Sequence, residues 1–118
     1  MKGITEDYVS RETYKLLKEK GYNGEFKTCY DMEGYTCSAI HLYDAMKWIR
    51  EQGFYINIDI DVDYDEDERG TKWYHKPAWD WVVFRIDERK QMSDDGALYA
   101  TYEQAAEVAI KWCLENLI

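Results

Sequence analysis

The sequence has one proline, seven glycines, two histidines and three cysteines among 118 residues, and its apolar runs are only a few residues long. A chain this poor in proline and glycine is neither collagen-like nor a low-complexity linker. The short runs fall far below the roughly 20 apolar residues that a bilayer-spanning helix needs, so no membrane contact is expected. Cys29, Cys37 and Cys113 cannot all pair within one chain, and no N-terminal stretch joins a basic start to an apolar run. A reducing, cytoplasmic setting is the expectation. Basic residues are scarce too: 15 Lys and Arg stand against 24 Asp and Glu, for a net charge of −9 and a pI near 4.7. Such a chain repels phosphate, so direct nucleic-acid binding is not expected.

Aromatic residues are plentiful, with 5 Trp, 11 Tyr and 3 Phe. Disordered chains lack these residues, so this chain folds despite 33% charged residues and a mean hydropathy of −0.68. A chain of this length buries roughly two thirds of its unfolded surface, enough for one core without metals or disulfides. With no internal repeat or linker, residues 1–118 read as a single domain.

Hydrophobic periodicity places the elements. Ser10 as N-cap, Val9 and Tyr14 as a staple, and Gly21 as a stop predict a helix over 11–20. Its narrow apolar stripe, Tyr14, Leu16 and Leu17, suits a helix lying on a sheet. Phe26, Thr28 and Tyr30 alternate as a strand does. Leu42, Ala45, Met46 and Ile49 form one helical face, opening near Ser38 and closing at Gly53, with His41 and Trp48 bordering the core. From residue 56 the period becomes two: Ile56, Ile58, Ile60, Val62 and Tyr64 alternate with Asn57, Asp59, Asp61, Asp63 and Asp65. A turn at 65–70 leads to a second long strand over about 79–87, and a short strand is expected at 97–100. Thr101 and Gln104 form a capping box for the last helix, which buries Ala106, Ala109, Ile110, Cys113 and Leu117 and exposes Glu103, Glu107, Lys111 and Glu115. The fold class is α+β, in the order α-β-α-β-β-α: a three- to four-stranded, mostly antiparallel sheet with two to three helices mainly on one face.

Residues 59–68 hold seven carboxylates and no base. An EF-hand loop needs Gly at its sixth position and Glu at its twelfth, and no frame starting at Asp59, Asp61, Asp63 or Asp65 supplies both. On a strand, Asp59, Asp61 and Asp63 point the same way about 6.8 Å apart, forming a row rather than a cage. Such a row can be a solvated face that discourages edge pairing. It also resembles the charge rhythm of a nucleic-acid strand, and so could engage a protein with a basic surface.

The second feature is the cluster Trp73, Tyr74, Trp79 and Trp81. Trp79 and Trp81 fall in the phase opposite to Val82, Phe84 and Ile86, so both faces of that strand are apolar. With helices on one face only, the Trp pair lies under a loop or on an interface, with a homodimer as the natural partner. Cys37 and His41 have the spacing of one helix face, yet no CxxC or HxxxH accompanies them, and no metal site or other cofactor is read. The common nucleotide-binding and nucleophile motifs are absent, so no catalytic residue is assigned.

Three stretches point to a family: Thr13-Tyr14-Lys15-Leu16-Leu17-Lys18-Glu19-Lys20-Gly21-Tyr22, Ala45-Met46-Lys47-Trp48-Ile49-Arg50-Glu51, and Thr101-Tyr102-Glu103-Gln104-Ala105-Ala106-Glu107 running on to Glu115. Together they resemble a group of short proteins from gut anaerobic bacteria and their phages and mobile elements, which carry K-W-L-R-E before a strand and end in a T/S-Y-E-E/Q-A helix. The resemblance implies a small accessory protein and no catalytic residue.

The expected function is that of a small acidic interaction protein acting without catalysis, with Asp59, Asp61, Asp63, Trp79 and Trp81 as its contact residues. An acidic nucleic-acid mimic is the alternative, and a small enzyme built around His41 or His75 the third reading.

Overall fold

The first helix is set by its ends. The Ser10 hydroxyl accepts the Thr13 N–H, which satisfies one of the amides left free at a helix start. Gly21, at φ 90°, takes the left-handed conformation that ends it. A computed structural model describes residues 8–30, 36–93 and 97–118, with Cys29, Tyr30, Thr36 and Cys37 described in their backbone alone.

In chain order the elements are α1 (Arg11–Glu19), β1 (Lys27–Tyr30), β2 (Thr36–Ala39), α2 (Leu42–Glu51), β3 (Phe54–Asp61), β4 (Tyr64–Glu66), β5 (Lys72–Tyr74), β6 (Ala78–Arg85), β7 (Lys90–Ser93) and α3 (Tyr102–Asn116). All strand pairing among the described residues is antiparallel: β1 with β2, β4 with β5, and a three-stranded sheet in the order β3-β6-β7. The fold is α+β with open sheets, as the periodicities require. β2, β4, β5 and β7 are additions to the expected order. The strand expected at 97–100 is reduced to Tyr99, whose backbone bridges Trp79.

Helix α3 packs on β6 and β3, α2 packs on β3, and both α1 and α2 pack against α3. The core between them joins Ile56, Trp81 and Val83 of the sheet to Leu17, Leu42, Ala45, Ile49, Ala106, Ala109, Ile110 and Leu114 of the helices. Trp81 and Trp112 meet across this layer with centroids 5.7 Å apart.

Several expectations are corrected here. The covered face of β6 carries Trp79, Trp81 and Val83, not Val82, Phe84 and Ile86. Strand register decides this, because Ile56 and Ile58 stand opposite Val83 and Trp81, and side chains opposite each other share a face. Helix α2 opens at His41, whose Nδ1 accepts the Tyr43 N–H, since residues through Ala39 are held in β2. Trp48 is buried rather than bordering the core. Glu107, expected outside, is drawn inward by Thr13 and Ser10 of the α1 start.

Candidate interaction surface

Strands β3 and β6 run past the helices that cover them. The chain from Phe54 to Glu66 is extended and spans about 43 Å at ~3.3 Å per residue. Helix α3, with 15 residues, spans only about 22 Å. No helix here is long enough to cover the whole ribbon. Apart from half-buried Asp67, every residue from 59 to 77 is exposed.

Three residue steps separate Asp61 from Tyr64 on one strand of this arm, whereas four separate Tyr74 from Ala78 on the other. The ladder is interrupted here, with residues 62–63 on one side and 75–77, including Pro77, which cannot donate to a ladder, on the other. Pairing resumes in a separate two-stranded ribbon, in which Tyr64 stands opposite Tyr74 and Asp65 opposite Trp73.

Asp59 and Asp61 share a face at the end of β3, Asp63 follows in the interruption and Asp65 lies in β4; all four are exposed. Asp59 stands opposite Asp80, and its carboxylate accepts the Asn57 side-chain amide at 2.8 Å. Asp63 accepts the Tyr64 N–H at 2.8 Å, and Asp65 lies 3.0 Å from His75 Nε2. No lysine or arginine is recorded in an ion pair with these four carboxylates among the described residues. At the tip, the Asp67 carboxylate accepts the N–H groups of Arg69 and Thr71, and Gly70, at φ 82°, completes the turn.

Ile60, Val62, Tyr64, Trp73 and Tyr74 have exposures between 42% and 65%, values that belong to surface rather than core. Tyr64 and Tyr74 touch with centroids 5.5 Å apart, and Lys72 stands 4.7 Å over the Tyr64 ring. These contacts stiffen a ribbon that has no helix beneath it.

The structure thus places Asp59, Asp61 and Asp63 in succession on exposed chain and the two tryptophans on the covered face of β6. Trp81 is 1% exposed, inside the core. Trp79 is half-buried against Tyr102, at a centroid distance of 5.6 Å. The exposed apolar residues of the arm are Ile60, Val62, Tyr64, Trp73 and Tyr74. The sequence showed three of them in alternation with the acids. That they are uncovered could have been inferred by comparing the length of the alternating stretch with that of the helices.

The remaining candidates separate in space. Cys37 lies in β2 and His41 caps α2, so they do not share the helix face on which metal spacing was considered. No group of three metal-ligating side chains occurs among the described residues. His75 pairs with Asp65 on the exposed arm rather than in a cleft. Burial pushes the Cys113 thiol up to about 12, which keeps it a neutral, unreactive filler. No helix of the described residues is long and apolar enough to cross a membrane. Comparison with protein-family models, curated proteins and solved structures finds no match for this chain.

Proposed function

We propose that this chain is a small, non-catalytic binding protein that presents the β3–β6 ribbon to a protein with a basic surface. The observation that supports this reading is the run of exposed carboxylates Asp59, Asp61, Asp63 and Asp65 along β3 and into β4, with no residue between 59 and 66 buried. Four like charges in such close succession repel one another, a cost that a cationic partner would relieve. The resemblance to phage and mobile-element proteins agrees with an accessory role of this kind, carried out in the cytoplasm. In a second reading, favoured by the regular charge spacing, the partner's basic surface is a groove that otherwise holds nucleic acid.

The test is affinity capture from host lysate at low and high salt, with wild type and the Asp59→Asn/Asp61→Asn/Asp63→Asn variant as baits. The expected result is a protein with a basic surface held by wild type alone and released by salt. Identical capture by both baits, or none, would show the row to be a solvated face. Sedimentation of the free protein decides the homodimer: a monomer that does not change with concentration removes it.

A further inference from the structure

Helix α2 has two working faces. Leu42, Ala45, Trp48 and Ile49 enter the core, while Tyr43, Met46, Lys47 and Arg50 follow the adjacent stripe at helical spacing and line an open cleft of about 140 Å³. Tyr55 and Ile56 of β3 close it on the sheet side, and Tyr102, the first residue of α3, closes the end. The cleft lies on the body, apart from the acidic arm.

Its chemistry runs against that of the rest of the molecule. No carboxylate lines it, although the chain carries 24 acids. Lys47 and Arg50 stand three apart on α2, both are exposed, and neither is in an ion pair among the described residues, so their charges are open to an anion. Met46 and Ile56 offer apolar contact, and the three tyrosines offer ring faces together with hydroxyl donors. Burial, then the neighbouring Tyr55 and Glu103, raise the pKa of the Tyr102 hydroxyl.

Size limits the ligand. An enclosed cavity of about 150 Å³ accommodates a single benzene ring, and this open cleft has about that volume. We propose that this cleft binds a small aromatic anion, one six-membered ring bearing a carboxylate or phosphate, with the ring against Met46, Ile56 and the tyrosines and the anionic group on Lys47 and Arg50. Arginine offers a planar fork to either oxyanion, and lysine a point charge beside it.

The inference is independent of the arm, and its test uses defined compounds. The full chain, labelled with nitrogen-15, is titrated into the millimolar range with phenyl phosphate, benzoate, benzyl alcohol and inorganic phosphate while amide shifts are followed. Phenyl phosphate and benzoate are expected to move the amides of residues 43–50, 55, 56 and 102, with benzyl alcohol and inorganic phosphate at least about tenfold weaker. Losing one charge-assisted contact should weaken binding about tenfold in Arg50→Gln, and similarly in Lys47→Gln. Both positions are exposed, so the variants keep the fold, which dispersed spectra would verify. Absence of shifts with every probe, equal binding of benzyl alcohol, shifts centred elsewhere, or unchanged affinity in both variants would each overturn the proposal.

Discussion

The Thr13 hydroxyl donates to Glu107 Oε1 at 2.7 Å across 94 residues of sequence, and the Ser10 N–H donates to the same oxygen at 3.0 Å. Ser10 is also the cap of α1, so one carboxylate from the middle of α3 fixes where the first helix begins. Thr13 is fully buried, and its hydroxyl would be costly to leave without a partner.

Replacing Glu107 with Ala should lower stability by about 2–3 kcal/mol, since a buried hydroxyl loses its acceptor and the cap its tether. Thr13→Val should cost less, about 1 kcal/mol, because it removes the donor and retains the volume. A double-mutant cycle read by urea unfolding should then show coupling of at least about 0.5 kcal/mol. Additive losses would mean that the two side chains act separately.

Asp59 faces Asp80 across the β3–β6 ladder, and like charges directly opposite each other destabilise a sheet. Asp59→Asn should raise stability by about 0.2–1 kcal/mol at low ionic strength, with the gain fading toward 1 M salt as screening removes the repulsion. Thermal unfolding at two salt concentrations measures this. A loss of stability at low salt would show that the carboxylate's bond from Asn57 outweighs the repulsion.

Burial raises the Cys113 thiol from its ordinary value of 9.0 to about 12. The folded state therefore favours the protonated thiol, and the associated stability is complete below pH 9 and is lost as pH rises from about 9 to 12. Cys113→Ala should give a flatter stability curve over that window while lowering stability at pH 7 through the cavity it leaves. Native protein should also react with thiol reagents at Cys113 only as fast as it unfolds. An unaltered alkaline slope in the variant would assign it to other groups.

At the ribbon tip, the Asp67 carboxylate holds two backbone amides. Asp67→Ala should release them, so that the amides of Arg69 and Thr71 exchange with solvent faster while those of Trp81 and Val83 are unaffected. Faster exchange throughout β6 would mean that arm and body unfold as one unit.

Much of this was legible in one dimension. Capping residues are read locally, so Ser10, Thr101 and the stop at Gly21 placed helix ends within a residue or two. Period-two alternation from Ile56 identified the long strand, because no helix sorts those residues into two faces, but the strand ends at Asp61 and Tyr64 opens a separate short one. The helix start near Ser38 failed for the converse reason: residues 36–39 pair with 27–30, and a long-range ladder leaves little trace in a four-residue segment.

The sequence by itself determined that the chain folds, that it is α+β, and that its acids alternate with apolar residues from 56 to 65, since composition and local periodicity are enough for each. Only the tertiary structure decided which phase of β6 is covered, and with it the fate of the tryptophans. Both phases are apolar, so pairing with Ile56 and Ile58, not hydrophobicity, sets Trp81 beneath α3. The arm and the cationic cleft are likewise products of assembly. One exists because the strands outrun the helices, and the other because residues of α2, β3 and the start of α3 line one open cleft.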